Sequence, residues 1–368
     1  MHQNPSQFAA LTLQNLQKMA TKPKVTIQSI ALAAGVSTAT VDRVLNSRLP
    51  VREGTALRVI EAAERVGYHA VHLMRQRLPV RGAARRLGFC LQKRASPFYQ
   101  AFAQALREAV QRQTQDRGRA VIEFVDDLEP QAIGEKLLEM GRRCDALGVV
   151  ALDHPHVNAA VAQLHAEGHP CLALLTDLGA PQRLGCVSID NRQRGRTAAW
   201  AVRRLSHAAG VVGVFVGSHR YLGQEVSEMA FRSALREQAP HLRVLDAQVN
   251  LEDEQMAYEA TLGLLQRHPD LVGLYDSAGG GAVGIVRALR EEGQGRGIVL
   301  VCHELTPAHR LGLVDGHIDL VIQTPLAALT DTAVRLLLQA LELGQEPALG
   351  QSPSSHILPF EIYTSENV

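Results

Sequence analysis

The chain has 368 residues, 46% hydrophobic and 20% charged, the make-up of an ordinary soluble globular protein with more than one core. No apolar run approaches the roughly 20 residues needed to cross a bilayer, and the first residues lack the basic start and apolar centre of a secretory signal, so a cytoplasmic location is expected. The net charge of +1 hides a split: residues 22–86 hold twelve Lys or Arg against four acids, leaving an acidic remainder. That is the footprint of a phosphate-binding module joined to a body that does not bind nucleic acid.

Residues 1–21 read as an N-terminal extension that need not be ordered. Met19 opens MATKPKVTIQS, a start typical of the head that follows, and an extension without function is expected for 1–18. The stretch VTIQSIALAAGVSTATVDRVLN, residues 25–46, then spells two short helices around a turn. Thr26 precedes the apolar series Ile27, Ile30, Ala31 and Ala34, so it is the expected N-cap. Gly35 supplies the turn and Ser37 caps the second helix, where Val41, Val44 and Leu45 face inward. Thr38, Ala39, Asp42, Arg43 and Asn46 are left outward. A third helix is expected from about Arg52 to Val66, with Leu57, Ile60 and Ala63 as its buried stripe and Gly67 as its stop. This is a helix-turn-helix domain over 22–68, whose second helix fits the major groove of B-DNA.

The series Thr26-Ile27, Ile30-Ala31, Ala34-Gly35-Val36-Ser37, Thr40-Val41, Arg43-Val44-Leu45-Asn46 and Gly67-Tyr68 resembles the DNA-binding domain of the LacI family of bacterial transcription regulators. The resemblance implies that Thr38, Ala39 and Arg43 read base edges and that Thr26, Ser37, Thr40 and Asn46 lie near phosphates. An arginine paired bidentately with a guanine edge supplies about 1–3 kcal/mol of discrimination. Two departures stand out. Asp42 occupies the place where the family usually has serine, and it could orient Arg43 or accept from a cytosine amine. In the hinge, 69–85, Arg77 stands where a minor-groove leucine is expected, with Leu78 next. Minor-groove insertion of arginine (making Arg77 a DNA contact), a Leu78 wedge in a shifted register, and a solvated basic linker all remain open.

From Leu87 onward apolar runs alternate with amphipathic stretches: LGFCL, AVIEFV, ALGVVALD, CLALLTD, CVSID, VVGVFVG, VLDAQV, LVGLYD, IVLVCHEL and DLVIQTP. Continuous apolar strands separated by helices indicate parallel sheets covered on both faces. About ten such units exceed one comfortable open sheet, so two doubly wound α/β lobes are expected. Ligands of such sheets gather at the carboxyl ends of strands. Those ends carry Phe98 and Tyr99, Asp126, Asp153, Asp177, Asp190-Asn191, Arg220, Asp276, His303-Glu304 and Gln323, a polar set with aromatic platforms suited to a polyhydroxylated small molecule.

Over most of 86–368 the chain resembles the two-lobed, periplasmic-binding-protein-like (type I) effector-binding and dimerisation domain of the same family. The resemblance implies a sugar or sugar derivative held between the lobes. The candidate contacts are Phe98, Tyr99, Asp153, Asp190, Arg220, Asp276, His303, Glu304 and Gln323. Many relatives hold the ligand with an arginine in the helix after Tyr221; alignment through Gly223, Glu225 and Phe231 puts Ser227 there, so the ligand or its grip differs. Together these readings expect a repressor, not an enzyme, that needs no cofactor. It would bind an inverted-repeat operator in double-stranded DNA as a homodimer or higher oligomer, in answer to a carbohydrate effector and without a membrane partner.

One rival comes from Gly279-Gly280-Gly281-Ala282-Val283-Gly284, which satisfies G-x-G-x-x-G between a strand and a helix, with Glu304 about 20 residues on. It makes a nicotinamide-dinucleotide-dependent oxidoreductase or redox sensor, fused to a DNA-binding domain, the competing class. The five cysteines form no CxxC pair and the fifteen histidines no metal-ligand spacing, so buried reduced thiols and no metal site are expected.

Overall fold

The computed structural model describes residues 25–46, 51, 53–68, 71, 85–126, 128–292, 297–343 and 353–368. The extension at 1–21, most of the hinge, and with it Arg77 and Leu78, lie outside the described residues. The chain divides into two compact units, Met1–Ala83 and Ala84–Val368.

The first unit holds α1 (Ile27–Ala34), α2 (Thr38–Asn46) and α3 (Glu53–Arg65). Short helices are marginal alone, so their ends and their shared core decide whether they form. Thr26 Oγ1 accepts from Ser29 N at 3.2 Å while Thr26 N donates to Ser29 Oγ at 3.0 Å, a reciprocal capping box. Gly35 has φ 65°, a left-handed conformation that ends α1 and is open to glycine without strain. Ser37 Oγ then accepts from Thr40 N at 3.2 Å to start α2. Ile30, Val41, Val59 and Ile60 are almost fully buried between the three helices, and Arg65 donates to Ala33 O at 3.4 Å, tying α3 to α1.

The second unit has two sheets. The first runs β12 (Ser354–Leu358), β5 (Gly185–Ile189), β4 (Cys171–Leu174), β3 (Ala146–Val149), β1 (Arg86–Gln92) and β2 (Arg119–Val125), all parallel. One face packs against α4 (Pro97–Gln113) and α12 (Leu326–Leu343), the other against α5 (Pro130–Gly141) and α6 (Pro155–Ala166). The second sheet runs β13 (Glu361–Tyr363), β11 (Leu320–Gln323), β10 (Val299–His303), β9 (Leu271–Asp276), β6 (Gly210–Val216) and β7 (Leu242–Val244), with β8 (Gln248–Val249) also beside β6. Only β13 in it is antiparallel to its neighbour. Helices α7 (Asn191–Leu205) and α8 (Leu222–Gln238) cover one face, and α9 (Glu254–Arg267), α10 (Ala282–Glu291) and α11 (Pro307–Val314) the other.

The ten apolar runs all become strands, VLDAQV being divided between β7 and β8. Strands β12 and β13 were not among them. SSHIL and EIY are half exposed at sheet edges, so they lack the continuous apolar character that marks a buried parallel strand. They matter because the chain passes between lobes three times, from β5 into α7, from β11 into α12 and from β12 into β13. All five cysteines are buried free thiols. Burial pushes Cys90, Cys171 and Cys186 up to about 12, which leaves them unreactive. Among the described residues no helix is long and apolar enough to cross a membrane.

Candidate functional site

On the head, Thr38, Ala39, Arg43 and Asn46 are exposed along one side of α2, with Thr26 and Ser37 exposed at the two caps and Thr40 half buried. The stripe follows from helical period, since Val41 and Val44 take the opposite face into the core. Asp42 accepts from Asn46 Nδ2 at 2.7 Å. The carboxylate therefore spends one oxygen on the next turn of its own helix.

In the larger unit the strand ends of both sheets meet in a cleft of about 800 Å³. Links between lobes frame it. Tyr221, ahead of α8, donates to Gln92 at the end of β1, Lys93 donates to the carbonyl of Leu251, and Gly223 N donates to Thr176 Oγ1 at 3.1 Å. Phe98 and Tyr99 form the aromatic wall on the first lobe, edge to face at 5.2 Å between centroids. Glu304 stands in the second lobe. Its two oxygens accept from Thr324 Oγ1 at 2.6 Å and Thr324 N at 3.2 Å. Burial raises its pKa against those hydrogen bonds and against Arg194.

Three of the nine expected contacts, Phe98, Tyr99 and Glu304, line the cleft; the other six do not. Asp190 accepts from Gln193 N as the N-cap of α7. Asp276 is fully buried and accepts from Ala278 N and Gly281 N, closing the turn into α10. His303 is buried against the Tyr275 ring. Gln323 is bonded to Leu305 N and Thr324 O at the lobe crossing. In each case the following residue, Asn191, Ser277, Glu304 or Thr324, is the one on the cleft wall. The reason is the strand pleat. Successive side chains point to opposite sides, and the last polar residue is drawn into capping the turn that follows. Asp153 accepts from Asn158 Nδ2 and Gly179 N, both at 2.8 Å, and so braces its own loop. Arg220 is exposed, meeting the other lobe through its carbonyl, which accepts from Asp153 N.

The expected set also missed Arg194, Glu252 and Lys93. Arg194 shares the inward stripe of α7 with Ala198 and Val202, and a cation on an apolar stripe was the available signal. Glu252 and Lys93 follow strands by a residue or more and carry no periodicity. What marks them is backbone. Of the described non-glycine residues with positive φ, Lys93, Leu175, Glu252 and Glu304 all line the cleft. Such conformations cost about 1–3 kcal/mol each and concentrate where a site is held in shape by its surroundings.

Buried ionisable groups near the cleft set a pH dependence. His309 has its Nδ1 2.6 Å from Thr306 Oγ1, and burial pushes its pKa down to about 4. Its folded value is below its unfolded one, so its contribution is complete above about pH 6.5 and is lost as pH falls toward 4, on the order of 3 kcal/mol. Asp276, pushed up to about 6 by burial, has the opposite sign and loses its contribution as pH rises through that value. We expect His309→Asn to flatten the loss of stability between pH 6.5 and 4 in urea titrations. An unchanged slope would remove His309 as its source.

The glycines that suggested a dinucleotide cradle are packing residues. A Cβ at Gly279 would meet His303 O at 2.6 Å, at Gly281 Asn250 Nδ2 at 2.4 Å, and at Gly284 Glu254 O at 1.9 Å. The turn's amides at Ala278 and Gly281 are already taken by Asp276. Among the described residues no group of His, Cys, Asp or Glu could hold a metal ion.

A helix-turn-helix head and a two-lobed body with a ligand-sized cleft at its strand ends define a class, the ligand-sensing DNA-binding regulator. A family model for the periplasmic binding protein domain matches residues 87–346, and one for bacterial regulatory proteins of the lacI family matches residues 26–70. Relatives include an uncharacterized HTH-type transcriptional regulator in the aml 5' region of Streptomyces limosus, 28% identical over 73% of this chain and 74% of its own. The HTH-type transcriptional regulator MalR of Streptomyces coelicolor is 24% identical over 88% of this chain and 91% of its own. Among solved structures, an ABC transporter solute binding protein from Agrobacterium vitis bound with alpha-D-tagatopyranose has the same two-lobed fold. It superposes with a TM-score of 0.68 at 20% identity, covering 77% of this chain and 95% of that one. The chain belongs, through its larger part, to the periplasmic binding protein domain family, and it carries a DNA-binding head that matches bacterial regulatory proteins of the lacI family. Its relatives are regulators of transcription and not enzymes, which overturns the oxidoreductase reading.

Proposed function

We propose that this regulator is a cytoplasmic repressor that grips an inverted-repeat operator as a homodimer and answers to a sugar or sugar derivative bound in the cleft. The observation that carries the effector reading is the pairing of walls. An aromatic surface at Phe98 and Tyr99 on one lobe shares the cleft with a carboxylate at Glu304, held by Thr324, on the other. Apolar ring faces suit the C–H faces of a sugar, and a fixed carboxylate accepts its hydroxyls. A ligand touching both walls is sensitive to the angle between lobes. It changes DNA affinity by the difference between its affinities for the two arrangements, and by no more. On the head, Thr38, Ala39 and Arg43 face base edges in this reading, while Thr26, Ser37, Thr40 and Asn46 lie toward phosphates.

Hydrogen bonds to a charged group contribute roughly 1.5–3 kcal/mol each. Glu304→Ala is therefore expected to raise the effector concentration for half response by 10- to 100-fold, with operator binding in its absence retained. The measurement is a mobility-shift titration of operator complexes against a panel of sugars, polyols, sugar acids and nucleotides. A response curve identical to that of the unmodified protein would take Glu304 out of the site. A response confined to nucleotides would reject the carbohydrate reading.

A further inference from the structure

Arg194 is buried, yet it lines the cleft. Two bonds from α8 hold it there. Nε donates to Ser227 Oγ at 3.1 Å and Nη2 donates to the Gly223 carbonyl at 3.3 Å. Ser227 Oγ is itself 2.7 Å from the hydroxyl of Tyr275, which is fully buried and stacks on Phe231. These two anchors orient the guanidinium and supply dipoles only. Among the described residues no carboxylate forms an ion pair with it within 4 Å; the Tyr275 hydroxyl is a further side-chain neighbour, and the attraction to Glu304 acts over a longer range. At Ser227 the small hydroxyl leaves room for a guanidinium that arrives from α7, the neighbouring helix.

A recessed cation with no carboxylate in ion-pair contact is costly, and proteins keep one where something anionic completes it. The cleft's other arginine, Arg287, lies over the Tyr258 ring and donates to Gln255 Oε1 at 2.8 Å, and two of the cleft's carboxylates are held as well. Glu304 is held by Thr324, and Glu252 accepts from Gln224 Nε2 at 2.9 Å with Lys93 as its neighbouring cation. Building on the carbohydrate reading above, we propose that the effector carries an anionic group, a carboxylate or a phosphate, beside its hydroxyls, and that Arg194 receives it. Glu304 takes the hydroxyls, and the two charges grip different ends of the ligand. A planar guanidinium matches either oxyanion. Ser227 is a positioning residue that fixes the guanidinium plane.

The experiment is a matched series on the purified full-length protein, read by calorimetric titration and thermal shift. The probes are glucose, glucuronate and glucose 6-phosphate, their galactose counterparts, and acetate and inorganic phosphate as anions without a sugar. Within one sugar series the acid or the phosphate is expected to bind at least tenfold tighter than the neutral hexose. Which of the two does so identifies the oxyanion. Arg194→Gln should bring that ratio close to one, and Arg194→Lys should restore part of it. The unmodified protein's ratio decides the matter even if a variant fails to fold. A neutral sugar binding as tightly as its charged partners, or Arg194→Gln weakening both in equal proportion, would overturn the proposal and make Arg194 a hydroxyl donor. No response to any sugar, charged or neutral, would instead reject the carbohydrate reading on which the proposal rests, and the proposal with it. Binding by phosphate or acetate alone at the affinity of the sugar anions would overturn the sugar component while leaving the cation site.

Discussion

Replacing Arg43 by alanine is expected to abolish the protein's preference for its operator while sparing its salt-dependent hold on duplex DNA of any sequence. Arg43 is exposed on the outer stripe of α2, between the buried Val41 and Val44, so its removal leaves the core of the head intact. The neighbouring carboxylate, Asp42, is bonded to Asn46. General attraction to phosphates comes from the other basic residues of the first 86 and persists. A bidentate contact to guanine is worth about 1–3 kcal/mol, and the two heads of the proposed homodimer on a symmetric operator double the exponent, so discrimination should fall by roughly 25-fold at the least and by roughly 20,000-fold at the most. A competition mobility shift with operator and scrambled duplexes at fixed salt measures this directly. Retained discrimination would show that α2 does not read sequence through Arg43.

Gly284→Ala is expected to destabilise the body by at least about 3 kcal/mol, enough to lower the melting temperature by roughly 6–12 °C in a unit of this size. The added methyl would sit 1.9 Å from the carbonyl oxygen of Glu254 and 2.9 Å from Tyr258 N. Both are backbone atoms at the start of α9, so no rotamer change can relieve the clash, and α9 and α10 must separate. The control is Gly263→Ala within α9, whose Cβ would meet only the Arg267 guanidinium at 3.5 Å. There the substitution should be neutral or mildly stabilising, as expected for glycine in a helix interior. Equal melting temperatures for Gly284→Ala and the unmodified protein would mean that the two helices are not in contact at this point, and the glycine string would need another explanation.

Those same glycines show how far a motif can be read from its letters. The spacing at 279–284 fits a phosphate-binding turn, yet the turn's amides at 278 and 281 serve Asp276, and the missing side chains make room for neighbouring backbone at 279 and 284 and for side chains at 280 and 281. A spacing rule records that small residues are required; it does not record whether a ligand or another helix requires them. The strand ends teach a related lesson. Asp190, Asp276, His303 and Gln323 were expected in the cleft because they close apolar runs. The runs themselves were read correctly, and the error was one residue in each case, the interval over which a pleated chain reverses its side chains.

What this sequence settles alone is whatever depends on a residue and its near neighbours along the chain. Thr26, Gly35 and Ser37 punctuate the head because a hydroxyl or a left-handed turn acts within three or four residues. Eight strands, β1, β3 to β6 and β9 to β11, announce themselves because both of their faces are covered and both must therefore be apolar. The tertiary structure alone decides the rest: that β12 and β13 complete the sheets at their edges, that Glu304 and Thr324 meet across a lobe crossing, and that Arg194 finds Ser227, 33 residues away, as an anchor. Contacts of that kind join segments whose meeting depends on how the sheets are wound, and no period in the sequence encodes which partner an inward-facing charge will meet.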